Sequence, residues 1–487
     1  MTDQSMASDG RRIGIMYLVG IGVTFLLGFT LALLLRTELL SPGQTVLDPS
    51  IFARVVSVHG VLMVFLCALP AIPAILGNFV LPSLLRTSEL AFPRLNRLSL
   101  WLYLVGVALS IVFVVGGGVG TGWTLLPPLA TQGGWPVAVL AVGLHLVGLS
   151  LVFTGFNLAA TVMLRRPAEM PLAEMPVFAW SLLAYGVLQV LVAPLLSSLA
   201  LMFVSDQLTG GALFDPAAGG DPQHYRQLFW FFSHAAFQLT LIPVIGVVSE
   251  VLADLSRKRV HAYSALVWSI LAVALLAPAA WGIHLVTGGE QSPATSVVFS
   301  ALFLIAAIPW TVVFFSWLGT LYEGSILLKT PLLYALAAMV HLAVGGLGGL
   351  FLGALSTRLH LEGTWFASAQ MHYLMAGAWG AALLAGLYHW WPKLTGRLYD
   401  EKWAALGAGL GFAGFNLSFL TSFLVGGRGV LAGSFRYPVE LAGLQRLSGV
   451  GAAVLAIGLF VVLVNLVVSL LSGDPAPADP RVSGGDA

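Results

Sequence analysis

The chain has 487 residues, 58% hydrophobic and only 9% charged, with a mean hydropathy of +0.93. A soluble domain carries about 25% charged residues, so most of this surface cannot face water. With 22 basic against 21 acidic side chains, the net charge of +1 gives nucleic acid no electrostatic footing.

Polar residues 1–12 read as a short cytoplasmic segment. The apolar run at about 13–36 is too long for a signal-peptide core and lacks a small-residue cleavage pattern, so it is expected to remain as the first transmembrane helix. Further stretches near the ~20 residues that span a bilayer fall at about 56–81, 98–118, 136–164, 177–203, 225–255, 262–287, 294–320, 331–355, 366–391, 403–427 and 447–472. The expected fold is all-α, a polytopic bundle of about twelve transmembrane helices forming one domain over 13–472, with its backbone polar groups satisfied within helices. Residues 473–487, rich in Pro, Gly and Ala, read as a disordered tail.

Basic residues give the orientation. Arg11, Arg12, Arg86, Arg94, Arg97, Arg165, Arg166, Arg257, Lys258, Arg259, Lys329, Lys393, Arg397 and Lys402 fall on one side of the expected bundle. Arg36, Arg54, Arg226, Arg358, Arg428, Arg436 and Arg446 fall on the other. The bias, about two to one, puts both termini in the cytoplasm of a bacterial cell, with the bundle integral to its cytoplasmic membrane and in contact with lipid.

Several of the ten histidines fall at expected membrane depth, where an ionisable group is a functional candidate. His59 opens His59-Gly-Val-Leu-Met63-Val-Phe65, which runs on through Pro70 to Gly77-Asn78-Phe79-Val80-Leu81-Pro82. Downstream come Gly120-Thr121-Gly122-Trp123 with Pro127-Pro128, then Leu144-His145-Leu146, Phe232-Ser233-His234 and Glu362-Gly-Thr-Trp-Phe-Ala-Ser-Ala-Gln370-Met-His372-Tyr. His224 and His261 sit near span ends, His360 in a loop, and His341 and His389 stand in no recognisable pattern.

From about residue 50 to 440 these segments resemble subunit I of the haem–copper oxidases, cytochrome c oxidase subunit I among them. The resemblance implies that His59 and His372 are the axial ligands of a low-spin haem. The family's second haem ligand lies two residues before the first on the same helix, about 200° around it; here that residue is Gln370. A carboxamide is a poor iron donor beside imidazole.

Of three copper-ligating histidines, His234 matches the first, and the adjacent pair falls on Ile283-His284, leaving two. Copper prefers imidazole, so His234 and His284 are residual copper positions. Gln238 stands for a tyrosine of the family's centre, Ala236 for a proton-path glutamate and Val313 for a proton-path lysine, while Glu89 keeps its acid. Arg436 and Arg428 are alternative contacts for haem propionates. Glu362 replaces a metal-ligating histidine beside Gly363 and reads as a solvated carboxylate.

The resemblance, carried over residue by residue, implies a haem-binding respiratory subunit. It would keep one low-spin haem, with the second haem and the copper lacking their usual ligands, and would transfer electrons without reducing oxygen itself. The absence of C-x-x-C-H excludes covalent c-type haem attachment. Its partners would be other subunits of a respiratory complex and, for electrons, a quinol or a periplasmic redox protein. Two other readings stay open. One is a working terminal oxidase or nitric oxide reductase with atypical ligands. The other is a haem-free structural or transport bundle, against which His59 and His372 argue.

Overall fold

A computed structural model describes residues 3–276, 278–289 and 291–477, with side chains from residue 9 onward. The chain runs as α1 (Asp3–Glu38), α2 (Pro49–Leu84), α3 (Pro93–Val115), α4 (Trp135–Arg165), α5 (Val177–Leu208), α6 (Pro222–Leu255), α7 (Tyr263–Leu276), α8 (Pro293–Leu321), α9 (Thr330–Gly353), α10 (365–395), α11 (Glu401–Gly426) and α12 (Val439–Ser472). No β-strand occurs among the described residues.

Ten of these helices are long and apolar enough to cross a membrane, and α7 with the 3-10 turns Trp281–Gly288 forms a bent eleventh candidate. Helix α10 is of similar length but more polar, because it carries Gln370, His372 and His389. The bundle of about twelve helices is as expected. Large apolar side chains such as Leu191, Phe315 and Phe460 face outward, a surface suited to lipid rather than water.

Three local departures have visible causes. The stretch expected as one helix at 262–287 is helical through Leu276 and a turn from Pro278, which has no N–H to continue the ladder. The polar N-terminal segment is already helical from Asp3. At the other end, residues 473–476 pair with a loop: Leu398 N–H donates to Asp474 O at 2.8 Å and Ala476 N–H to Gly396 O at 2.9 Å. The remainder of the tail expected to be disordered, from 478, lies outside the described residues.

Helices α2 and α6 form the middle of the bundle, with 78% and 83% of their most apolar windows buried against 17% for α1 and α8. Small residues let helices approach closely, as in other membrane bundles. A Cβ on Gly414 would lie 2.3 Å from the Leu455 nitrogen, so α11 and α12 pack backbone to backbone. Polar side chains bridge the remaining contacts, including Tyr17 Oη with Ser99 Oγ at 2.8 Å and Asn96 Nδ2 to Asn78 Oδ1 at 2.6 Å.

Helices α2 and α10 share a further feature. After His59, α2 passes through π-turns at Leu62–Ala68 and Ile72–Leu76, around Pro70 and Pro73. Immediately after His372, α10 does the same at Tyr373–Ala378. Such π segments are often found at functional sites. Both helices are capped at the end nearer their histidine. Asp48 accepts from Ser50 N and Ile51 N, and Thr364 Oγ1 accepts from Phe366 N.

Candidate functional site

A cavity of about 770 Å³ opens between α1, α2, α6, α9, α10 and α11. His59, His372, Gln370, His234, His284 and Gln238 all line it. Ile283 and Val313 are fully buried and Ala236 nearly so, all three away from its wall.

His59 and His372 face each other across one part of the cavity. Their rings are parallel to within 7°, with centroids 6.3 Å apart. His59 Nδ1 lies 2.9 Å from the carbonyl of Gly28 on α1, and His372 Nδ1 lies 2.7 Å from the carbonyl of Ser368 one turn back. A carbonyl only accepts, so each Nδ1 carries the proton and each Nε2 keeps its lone pair. Phe419 stacks on His372 at 4.6 Å and 20°.

The arrangement fits a metal held between two imidazoles. Two metal–imidazole bonds of about 2 Å, plus roughly 1 Å from nitrogen to ring centre on each side, require centres ~6 Å apart. Backbone acceptors behind both rings are the usual outer shell of metal-bound histidine. Room for a flat macrocycle is present as well: Gly22, Gly380 and Gly411 line the cavity, and a Cβ on any of them would meet nothing within 4 Å.

A residue not singled out in the sequence joins this part. Arg36, at the end of α1, is buried, with its guanidinium 5.1 Å from the Trp365 ring centre and 5.3 Å from that of Phe419. Its Nη2 donates to Ser422 Oγ at 3.2 Å, while its buried Nη1 has no partner among the described residues. An unmet buried donor is costly, and this one belongs to a side chain lining the cavity. The signal in the sequence was an arginine ending an apolar run. By contrast, Arg428 and Arg436 are exposed in the loop before α12 and do not line the cavity.

The other polar part gathers around α6. His234 Nδ1 and His284 Nε2 are 3.1 Å apart, and His284 stacks on Trp230 at 4.3 Å and 10°. Arg358, only 3% exposed, brings Nη2 to 3.0 Å from His284 Nδ1. Glu362 is not simply solvated: it grips Arg358 through two bonds, Nη2 to Oε1 at 2.6 Å and Nε to Oε2 at 3.0 Å. Burial pulls the Arg358 guanidinium down from its ordinary value, and the Glu362 carboxylate pushes it back up. Gln238 Oε1 accepts from Trp310 Nε1 at 3.2 Å. The Gln370 side chain sits against Gly348 and Gly349, where an added Cβ would come within 3.2 and 3.3 Å of it.

Residues 12–454 match the family described as Cytochrome C and Quinol oxidase polypeptide I. The chain belongs to that family. It is 35% identical over 473 residues to cytochrome c oxidase subunit 1 of Synechocystis sp., covering 97% of this chain and 86% of that one. It is 34% identical over 478 residues to cytochrome c oxidase subunit 1 of Thermostichus vulcanus, with the same coverage. A solved structure described as a heme-copper terminal oxidase dimer superimposes with a TM-score of 0.78, at 16% identity, over 98% of this chain and 88% of that one. The shared fold is therefore that of an integral membrane oxidase subunit.

Among the histidines without a sequence pattern, His341 lines the same cavity, packed on Phe415 at 4.5 Å, with Asn416 Nδ2 3.2 Å from its Nε2. His389 lies 3.7 Å from Asp254. His145, in a family segment, is 2.6 Å from Ser197 Oγ. None of these three could be placed by spacing alone, because each owes its partner to a different helix.

Proposed function

We propose that this chain holds one haem between His59 and His372 and passes electrons within a respiratory assembly, without reducing oxygen itself. The observation that carries the reading is the pair of parallel imidazoles 6.3 Å apart, each with Nδ1 turned to a backbone carbonyl. Bound by two imidazoles, a haem would supply electron transfer rather than ligand binding. His59 and His372 would hold it, the carbonyls of Gly28 and Ser368 orient the rings, and Arg36 would offer its unpartnered Nη1 to a polar group of the haem. Phe419 and Trp365, packed about Arg36, keep water from that edge.

Oxygen reduction needs protons and electrons together at a second centre. Gln370 offers a carboxamide there, and apolar Ala236 and Val313 stand where the resemblance implies proton carriers. The position of the two histidines supports an electron partner at the non-cytoplasmic face, a quinol or a periplasmic redox protein. His59 lies near the start of α2 and His372 near the start of α10, at the face that bears exposed Arg428 and Arg436.

A second reading, a working terminal oxidase, is favoured by the names of the relatives and by the survival of His234 and His284. A reduced-minus-oxidised spectrum of purified protein, with haem and copper quantified, separates the two. A single low-spin haem insensitive to carbon monoxide supports electron transfer. A carbon-monoxide-binding haem with oxygen uptake supports the oxidase.

A further inference from the structure

His234 and His284 are the two side chains left at the copper positions implied by the resemblance, with Nδ1 of one 3.1 Å from Nε2 of the other. That distance suits a hydrogen bond, and it equally suits two nitrogens facing one metal at bonds of about 2 Å. The far side of His284 decides. Its Nδ1 is 3.0 Å from Arg358 Nη2, and a guanidinium has donors only, with no lone pair to accept. Nδ1 of His284 must therefore accept, which in a neutral imidazole places the proton on Nε2. An Nε2–H cannot ligate a metal. It donates to His234 Nδ1 and uses that lone pair as well. His59 and His372 show the opposite tautomer, with Nδ1–H committed to a carbonyl and Nε2 left free.

Arg358 is fixed in this role. Its Nη1 donates to Leu352 O at 2.9 Å, and Glu362 holds the Nε/Nη2 edge through two bonds, sharing Nη2 with His284. Paired with the Glu362 carboxylate, the guanidinium turns donors alone toward His284. Among the described residues, no three His, Cys, Asp or Glu side chains converge as a metal site requires.

We propose that Arg358, paired with Glu362, locks His284 in its non-ligating tautomer and so closes this centre to copper. The centre is built without copper, and supplying a third imidazole alone does not bring the metal in. The inference deepens the copper half of the reading above. It is separable from the haem half because metal content and haem absorbance are measured independently.

The test is a copper(I) titration of the full-length protein in detergent, with bound metal counted after desalting and haem absorbance of the same sample reporting on the fold. Wild type and Gln238→His should retain essentially no copper. The double variant Arg358→Asp/Gln238→His supplies a third imidazole from the cavity wall, one turn after His234, and an acceptor for a His284 Nδ1–H, and should retain about tenfold more. Adding His234→Ala should abolish the gain. Stoichiometric copper in the wild type, lost on His234→Ala, overturns the proposal. A double variant with intact haem and no gain in copper also overturns it. If the double variant does not fold, solid-state ¹⁵N spectra of histidine-labelled wild type decide, with His284 assigned by His284→Gln. A protonated Nε2 beside a bare Nδ1 is expected, and the reverse overturns the proposal. Wild type lacking haem altogether would defeat the haem reading, and the ¹⁵N spectrum would still test Arg358.

Discussion

The carbonyl of Gly28 on the first helix holds the ring of His59 on the second through a 2.9 Å hydrogen bond to Nδ1. The ring's orientation thus depends on how closely α1 and α2 pack. Gly28 secures that packing, since a Cβ there would come within 2.7 Å of the Met63 sulfur. Gly28→Val should push the helices apart, turn the imidazole and weaken haem retention by about 10–100-fold, as for other outer-shell losses. Gel filtration with the haem-to-protein absorbance ratio measures this, and unchanged retention would sink the idea.

The haem count is the most direct test of the proposed function. His59→Ala and His372→Ala should each abolish the low-spin spectrum, while Gln370→Ala should leave it in place. Two haems per wild-type chain by pyridine haemochrome assay would show that Gln370 or His341 supports a second site after all.

Arg36 predicts a shift in potential. A buried cation beside the haem disfavours the oxidised, more positive iron, so removing it should lower the midpoint potential. Arg36→Gln is expected to lower it by on the order of 50 mV, roughly a tenfold change in the one-electron equilibrium. Redox titration by absorbance measures it, and a rise or no change would remove Arg36 from the haem's surroundings.

Proton delivery is the point at which the two functional readings part. With Ala236 and Val313 apolar and buried, vesicles reconstituted with the subunit should neither consume oxygen nor acidify their surroundings. Oxygen uptake that disappears in His234→Ala would promote the oxidase reading.

Electron entry should depend on the face that carries Arg428 and Arg436. Both are exposed, so reversing their charge should slow haem reduction by native membranes, and the effect should fade as salt screens it. Neutralising exposed Arg94 and Arg165, assigned to the opposite face, should not. A stopped-flow comparison giving the opposite pattern would place the donor on the other side.

Much of the fold was legible because lipid imposes length and apolarity on every span, and hydropathy records both. The pair His59 and His372 was legible because an imidazole at membrane depth needs a reason and each stood in a dense motif. Arg358 was not. It read as one more basic residue at the outer face, and only the folded chain shows its guanidinium turned inward to His284. Arg36 was hidden likewise, since the rings it lies against, Trp365 and Phe419, are more than three hundred residues away in sequence. The break in the 262–287 stretch hinged on Pro278 within an otherwise continuous apolar run.

The π-turns that follow His59 and His372 have a consequence for how such a site can change over generations. Each wide turn acts as a swivel, because removing one residue from it would rotate the two halves of its helix against each other by about 100°. The outer halves, which bear the histidines, are thus mechanically distinct from the inner halves that lock the bundle together through residues such as Trp391, bonded to Ser469 at 2.8 Å. Residues on the outer halves, Gln370 among them, can be exchanged while the inner packing keeps its register. A lineage can therefore dismantle a reaction centre and still inherit a stable membrane protein.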